Sequence, residues 1–367
     1  MLRKFKIYIA ILLLCAFGFA QDRKEEDEII RIETKLINVP VIVTDTSGKP
    51  VLNLKRENFV IYEDGKKQEI ASFSLTEAPF EIALLLDTSG STRNELPLIR
   101  RAASYFISSL RKDDKVAIVS FQSVIRDGKQ VAVSQILTGL TEERLTLEKS
   151  LANISTSGGT PYYDAMLEIL NKVFNEEPTE KYRGRRAIVA LTDGVDSVSV
   201  ADFDEVLELV QKKGILVYFI QLDTRDFFEE GLLQDCEIAT KFSAAQLRRY
   251  YKQFGAKSKV EKTYDFCSLG YFERLAISKK LYEIADYEMQ RLAKESGGQV
   301  FPVVDLSEAR RAFKQIAEAI GASYSLGYYS SNESKEKTYR KIRVELRGVS
   351  SPMNLRYREG YEVSFVQ

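Results

Sequence analysis

The pattern of apolar and polar positions changes character twice along the chain. From Ile32 it reads as β. Leu36 to Val43 (LINVPVIV) is rich in β-branched residues, the composition of a strand. Asp45-Thr46-Ser47-Gly48-Lys49-Pro50 is a turn cluster. Phe59 to Tyr62 predicts a second strand, Glu63 to Lys66 a turn, and Lys67 to Phe73 a third strand. Short strands between tight turns predict a small β-sandwich-like module.

After Pro79 strands and helices alternate. Ile82 to Leu86 is a continuous apolar run, as expected of a strand buried on both faces of a parallel sheet. Leu96 to Leu110 has helical spacing, Val116 to Phe121 is another buried strand, and Val131 to Ile136 predicts an edge strand. Glu142 to Ile154 and Tyr162 to Phe174 read as amphipathic helices, Ala187 to Leu191 as a strand. Phe203 to Lys213 reads as a helix and Ile215 to Leu222 as a strand, with Gly214 between them as a helix C-cap. Thr224 to Ser278 breaks the rhythm and reads as an insertion, helical around Ala244 to Phe254. A helix from Leu281 to Glu295, a strand at Val300 to Val303 and a helix from Leu306 to Ile320 restore it. This alternation predicts an α/β fold: a doubly wound, mostly parallel sheet with helices on both faces.

The tail returns to β at Tyr324 to Tyr329, Tyr339 to Arg347 and Leu355 to Val363. The first β segment is short for an independent sandwich. The expected organisation is therefore a β segment over 32–78, an α/β domain over 80–320 with an insertion at 224–278, and a β segment over 323–364 that packs with 32–78.

The N-terminus reads as a secretory signal over 1–20. Arg3, Lys4 and Lys6 form a positive start, Ile7 to Phe19 is apolar, and Gly18 and Ala20 are small residues before a cleavage after Ala20. The apolar run is short for a membrane span, although an uncleaved anchor is the alternative. Residues 21–31 form a charged leader. The expected location is secreted, periplasmic or cell envelope. Cleavage leaves Cys236 and Cys267, which in an exported protein invite a disulfide; free thiols are the alternative.

The chain has 53 basic and 53 acidic residues. That balance gives no electrostatic case for nucleic acid or an anionic membrane surface. Histidine is absent, which removes Ser-His-Asp and Cys-His catalysis and His-ligated zinc.

The candidate chemistry lies at the boundaries of the α/β elements. Asp87, Ser89 and Ser91 follow a buried strand in EIALLLDTSGST, Thr160 follows the flexible Ser157-Gly158-Gly159, and Asp193 ends the strand RRAIVALTDG. In an open α/β sheet ligands bind in the crevice at the carboxyl ends of the strands, where all five oxygen donors belong. Three hydroxyls and two carboxylates suit Mg²⁺, with Mn²⁺ or Ca²⁺ as substitutes. Each residue alone is ordinary, because Ser and Thr cap helices and Asp ends strands; the combination carries the signal. Asp196 in TDGVDS is a candidate to orient a ligand through water, or a plain loop cap.

On these motifs, residues 80–320 resemble a von Willebrand factor type A domain. Asp87, Ser89, Ser91, Thr160 and Asp193 match, in order, its metal-ion-dependent adhesion site. The flanks VIVTDTSGKPVLNLKRENFVIYEDGKKQEI and YSLGYYSSN resemble secreted proteins of the Acidobacteria-type von Willebrand A family. The resemblance implies the doubly wound fold, a Mg²⁺ ion and a binding role in cell adhesion. The expected function is an exported, metal-dependent, non-enzymatic binding module. Its ion would capture the Asp or Glu carboxylate of a protein partner. The alternative is an envelope assembly protein whose β flanks make the contacts. No nucleic-acid partner and no membrane insertion after signal cleavage are expected.

Overall fold

The computed structural model describes residues 36–47, 49–75, 79–182, 185–253, 266–332 and 339–363. The signal and leader at 1–31, part of the insertion at 254–265 and residues 333–338 lie outside the described residues.

Two four-stranded antiparallel sheets are built from both ends of the described chain. Strand β1 (Leu36–Asp45) pairs with β11 (Ser323–Tyr329) and β13 (Met353–Tyr357), and β11 also pairs with β4 (Ile70–Leu75). The second sheet pairs β2 (Phe59–Glu63) with β3 (Lys66–Gln68) and with β12 (Tyr339–Leu346), which carries β14 (Gly360–Glu362) on its other side. Val39, Val41 and Val43 of β1, Phe59 and Ile61 of β2, Leu326 of β11 and Ile342 and Val344 of β12 share one apolar cluster. Two single strands expected from the sequence are each divided. Lys67 to Phe73 becomes β3 and β4, and Leu355 to Val363 becomes β13 and β14, with each half in a different sheet. The chain crosses between sheets at Glu69 and at Arg358-Glu359.

Between these flanks lies a six-stranded sheet in the order β10-β9-β8-β5-β6-β7. Its members are β5 (Glu81–Leu86), β6 (Lys115–Arg126), β7 (Lys129–Thr141), β8 (Arg186–Thr192), β9 (Leu216–Leu222) and β10 (Gln299–Val303). All neighbours are parallel except β6 and β7. Alternation along β5 divides its side chains: Ile82, Leu84 and Leu86 enter one core, Ala83 and Leu85 the other. On the first face lie α1 (Leu96–Ser109), α2 (Arg144–Ala152) and α8 (Leu306–Gly321). On the second lie α3 (Tyr162–Glu168), α4 (Phe203–Lys213) and α7 (Tyr271–Ser296). Gly214 caps α4 in the left-handed conformation, at φ 63°, as expected.

Three elements run beyond their expected bounds. Strands β6 and β7 continue into a long hairpin closed by Asp127 and Gly128, both at positive φ; this is the turn chemistry that Asp-Gly supplies. Helix α7 begins at Tyr271, ten residues before the expected Leu281, so the end of the expected insertion is helix. The rest of the insertion holds α5 (Arg225–Leu232) and α6 (Ala244–Lys252). Its apolar cluster joins Leu232, Phe242, Leu247 and Phe266 to Ile277 and Leu281 of α7. Cys236 and Cys267 are disulfide-bonded, with Cα atoms 5.2 Å apart.

Candidate metal centre

The parallel register of β5 with β8 sets Leu86 beside Leu191. Asp87 and Asp193 therefore leave neighbouring strands at the same carboxyl edge. The first loop runs from Asp87 into a 3₁₀ turn, Gly90–Glu95, that leads to α1. Backbone hydrogen bonds tie the loops together. Asp87 N donates to Leu191 O at 2.9 Å, and Ser157 N donates to Thr88 O at 2.7 Å. The third loop joins through Thr160: Ser197 N donates to Thr160 O at 3.0 Å, and Thr160 N donates to Ser197 Oγ at 2.7 Å. The structure thus brings the segments that carry Asp87, Ser89, Thr160 and Asp193 to one edge. The Ser91 backbone lies in the 3₁₀ turn, and its side chain lies outside the described positions.

The two acids are held in the same way. Asp87 Oδ1 accepts from Ser89 N at 3.0 Å, and Asp87 Oδ2 accepts from Thr192 Oγ1 at 2.7 Å. Asp193 Oδ1 accepts from Val195 N at 2.9 Å, and Asp193 Oδ2 accepts from the Thr224 hydroxyl. Each carboxylate thus takes one backbone N–H two residues on. Asp87 also takes the hydroxyl of Thr192 at the end of the neighbouring β8, and Asp193 that of Thr224, two residues past the end of β9. An ionised carboxylate has about four lone-pair sites, so both acids retain acceptor capacity.

Both acids are buried, as are Ser89 and Thr160. Burial raises the Asp87 carboxyl above its ordinary range. Burial, and then the neighbouring Asp87 charge, pushes Asp193 up to about 7. Among the described residues no lysine or arginine pairs with either acid. A proton or a cation is what offsets such a pair, and the two compete, so cation uptake weakens as pH falls. The donor set of carboxylate and hydroxyl oxygens, without nitrogen or sulfur, fits a hard divalent cation.

Asp196 is bound into the protein. Its Oδ1 accepts from Ser199 N at 3.0 Å, its Oδ2 from Tyr163 N at 3.2 Å, and Arg249 of α6 pairs with Oδ1 at 3.0 Å. Its charge still acts on Asp87, where it favours the protonated form. Sequence reasoning missed Thr192, Thr224 and Tyr282, whose hydroxyl lies 2.8 Å from Thr224 Oγ1. The available signal was a threonine at, or just past, the end of the strand next to each acid.

Proximal thread matrix protein 1 from the mussel byssus is 12% identical, with a TM-score of 0.42, over 70% of this chain and 50% of its own. The present chain thus spans about half the length of that protein. A von Willebrand factor type A protein from Catenulispora acidiphila is 10% identical, with a TM-score of 0.41, over 84% of this chain and 74% of its own. No curated protein matches the chain in sequence. The model of the von Willebrand factor type A domain matches residues 81–239, from the first residue of β5 to the segment after Cys236. Domains of this kind are typically protein-interaction modules. Residues 81–239, the larger share of the α/β part, are thus similar to a von Willebrand factor type A domain.

Proposed function

We propose that Asp87, Ser89, Ser91, Thr160 and Asp193 hold a Mg²⁺ ion, replaceable by Mn²⁺ or Ca²⁺, and that the protein uses it to bind the Asp or Glu carboxylate of a protein partner. The carrying observation is the buried pair Asp87 and Asp193, braced by hydrogen bonds and lacking a cationic neighbour among the described residues. A hard divalent cation bound there supplies a positive centre with room for an external oxygen ligand. The serine and threonine hydroxyls are neutral donors, so the chain contributes two negative charges and no more. That leaves a partner's carboxylate the means to complete the shell. Thr192 and Thr224 keep the two acids from swinging away when the partner leaves. The apolar start at Ile7 to Phe19 after Arg3, Lys4 and Lys6 supports an exported protein, placed outside the cell or in its envelope. The absence of histidine favours binding over catalysis.

Immobilised synthetic peptides that differ in Asp or Glu against Asn or Gln test this reading. The expected result is retention of the acidic peptides in Mg²⁺, loss of retention in EDTA, and no retention of the amide peptides in either buffer. Equal retention of acidic and amide peptides, or retention indifferent to EDTA, would contradict it.

A further inference from the structure

The loop that carries Asp193 is held from the far side by the insertion and by α7. Gly194 has φ +73°, and a Cβ there would lie 2.8 Å from Met289 Sδ of α7. Val195 is buried in the apolar cluster of the insertion with Leu232, Phe242 and Leu247. Arg249 of α6 pairs with Asp196 at 3.0 Å and lies over the Tyr163 ring at 4.2 Å.

Thr224 completes this grip in an unusual way. It stands at the N-cap of α5, yet its side chain makes no capping hydrogen bond to that helix. A threonine at an N-cap ordinarily accepts from the backbone two or three residues on. Here the hydroxyl points to Asp193 Oδ2 instead, and the Tyr282 hydroxyl of α7 lies 2.8 Å from Thr224 Oγ1. An ionised carboxylate only accepts. The one Thr224 proton therefore goes to Asp193, and the Tyr282 hydroxyl donates to Thr224. The donors run in one direction, from α7 through the first residue of the insertion to the acid.

We infer that Thr224 is a positioning residue for the Asp193 carboxylate, and that through Thr224 and Tyr282 the insertion and α7 set the affinity of the metal centre. The inference rests on the Mg²⁺ reading given above. Partners that orient a metal ligand commonly change metal affinity by 10–100-fold when removed. The five donors named for the centre include neither residue, so affinity here would depend on groups outside that set.

The test is Mn²⁺ titration, read by the electron paramagnetic resonance signal of free Mn²⁺, on the full chain and on Thr224→Val, Thr224→Ser, Tyr282→Phe and Asp87→Asn. Urea unfolding in EDTA accompanies each variant. Thr224→Val should raise the Kd about tenfold with little change in the metal-free unfolding midpoint. Thr224→Ser, which restores the hydroxyl, should return the Kd to within about twofold of the parent, and Tyr282→Phe should fall between. A packing role alone would shift the unfolding midpoint and would not distinguish valine from serine at the metal. A Thr224→Val Kd within about twofold of the parent, with uptake lost in Asp87→Asn, would overturn the inference and leave the Mg²⁺ reading standing. No Mn²⁺ uptake by the parent chain would overturn both.

Discussion

Asp87→Asn is expected to lower Mn²⁺ affinity by more than about 100-fold, beyond the range seen when only a ligand's supporting group is lost. The side chain is 1% exposed and keeps its shape in the substitution. The asparagine oxygen can still accept from Ser89 N, which lies 3.0 Å from Asp87 Oδ1. The amide takes the place of the oxygen that Thr192 now donates to at 2.7 Å. What disappears is one of two buried negative charges. Without metal that loss should leave the protein at least as stable as the parent, because each buried acid disfavours ionisation of its neighbour. The Asp193 carboxyl, now pushed up to about 7 by burial and by Asp87, should titrate lower in the variant. Mn²⁺ titration, urea unfolding in EDTA and carboxyl NMR check the three statements. An unchanged Kd would remove Asp87 from the centre.

Arg340→Ala is expected to destabilise the fold by about 3–5 kcal/mol, the cost of leaving a buried charge without its partner. Glu63 ends β2 with a fully buried side chain, and Arg340 of β12 pairs with its Oε1 at 3.0 Å. Tyr328 and Tyr361 donate to Glu63 Oε2 at 2.8 and 2.9 Å, and Ser330 donates to Oε1 at 2.5 Å. Tyr328 lies on the sheet opposite β2, so this cluster joins the two sheets around a single carboxylate. Alanine at 340 leaves that carboxylate with neutral donors alone. The measurement is the urea midpoint and slope of the full chain against the variant. A loss below about 1 kcal/mol would mean that the three hydroxyls suffice without the guanidinium.

The alternation of the α/β domain was legible because its strands are buried on both faces. Ile82 to Leu86 and Ala187 to Leu191 are apolar without interruption, and nothing but a parallel sheet covered by helices explains such runs at that spacing. The two strand-end acids were legible for the same reason, since the apolar run marks where each strand stops. Divided strands were not. The chain changes sheets at Glu69 and at Arg358-Glu359 without losing its alternating pattern, because both sheets face one core. The start of α7 was hidden by Tyr271 and Phe272, large residues left exposed on its first turn, which blur the helical period. The hairpin beyond Phe121 was signalled by Asp127-Gly128 and passed over, because the polar residues around it resemble an ordinary loop. Thr192, Thr224 and Tyr282 lay beyond sequence reasoning for a different cause. Their partners are set by which strands and helices are neighbours in space, and Thr192 and Asp87 are 105 positions apart.

The central claim is that Asp87, Ser89, Ser91, Thr160 and Asp193 form one cation site. It is tested most directly by crystals of the protein grown with Mn²⁺ and measured for anomalous scattering at the manganese edge. The account predicts an anomalous peak at the carboxyl edge of β5 and β8, within bonding distance of oxygens from these residues. Crystals grown in Mn²⁺ with no peak there, and with Asp87 and Asp193 still at that edge, would contradict it.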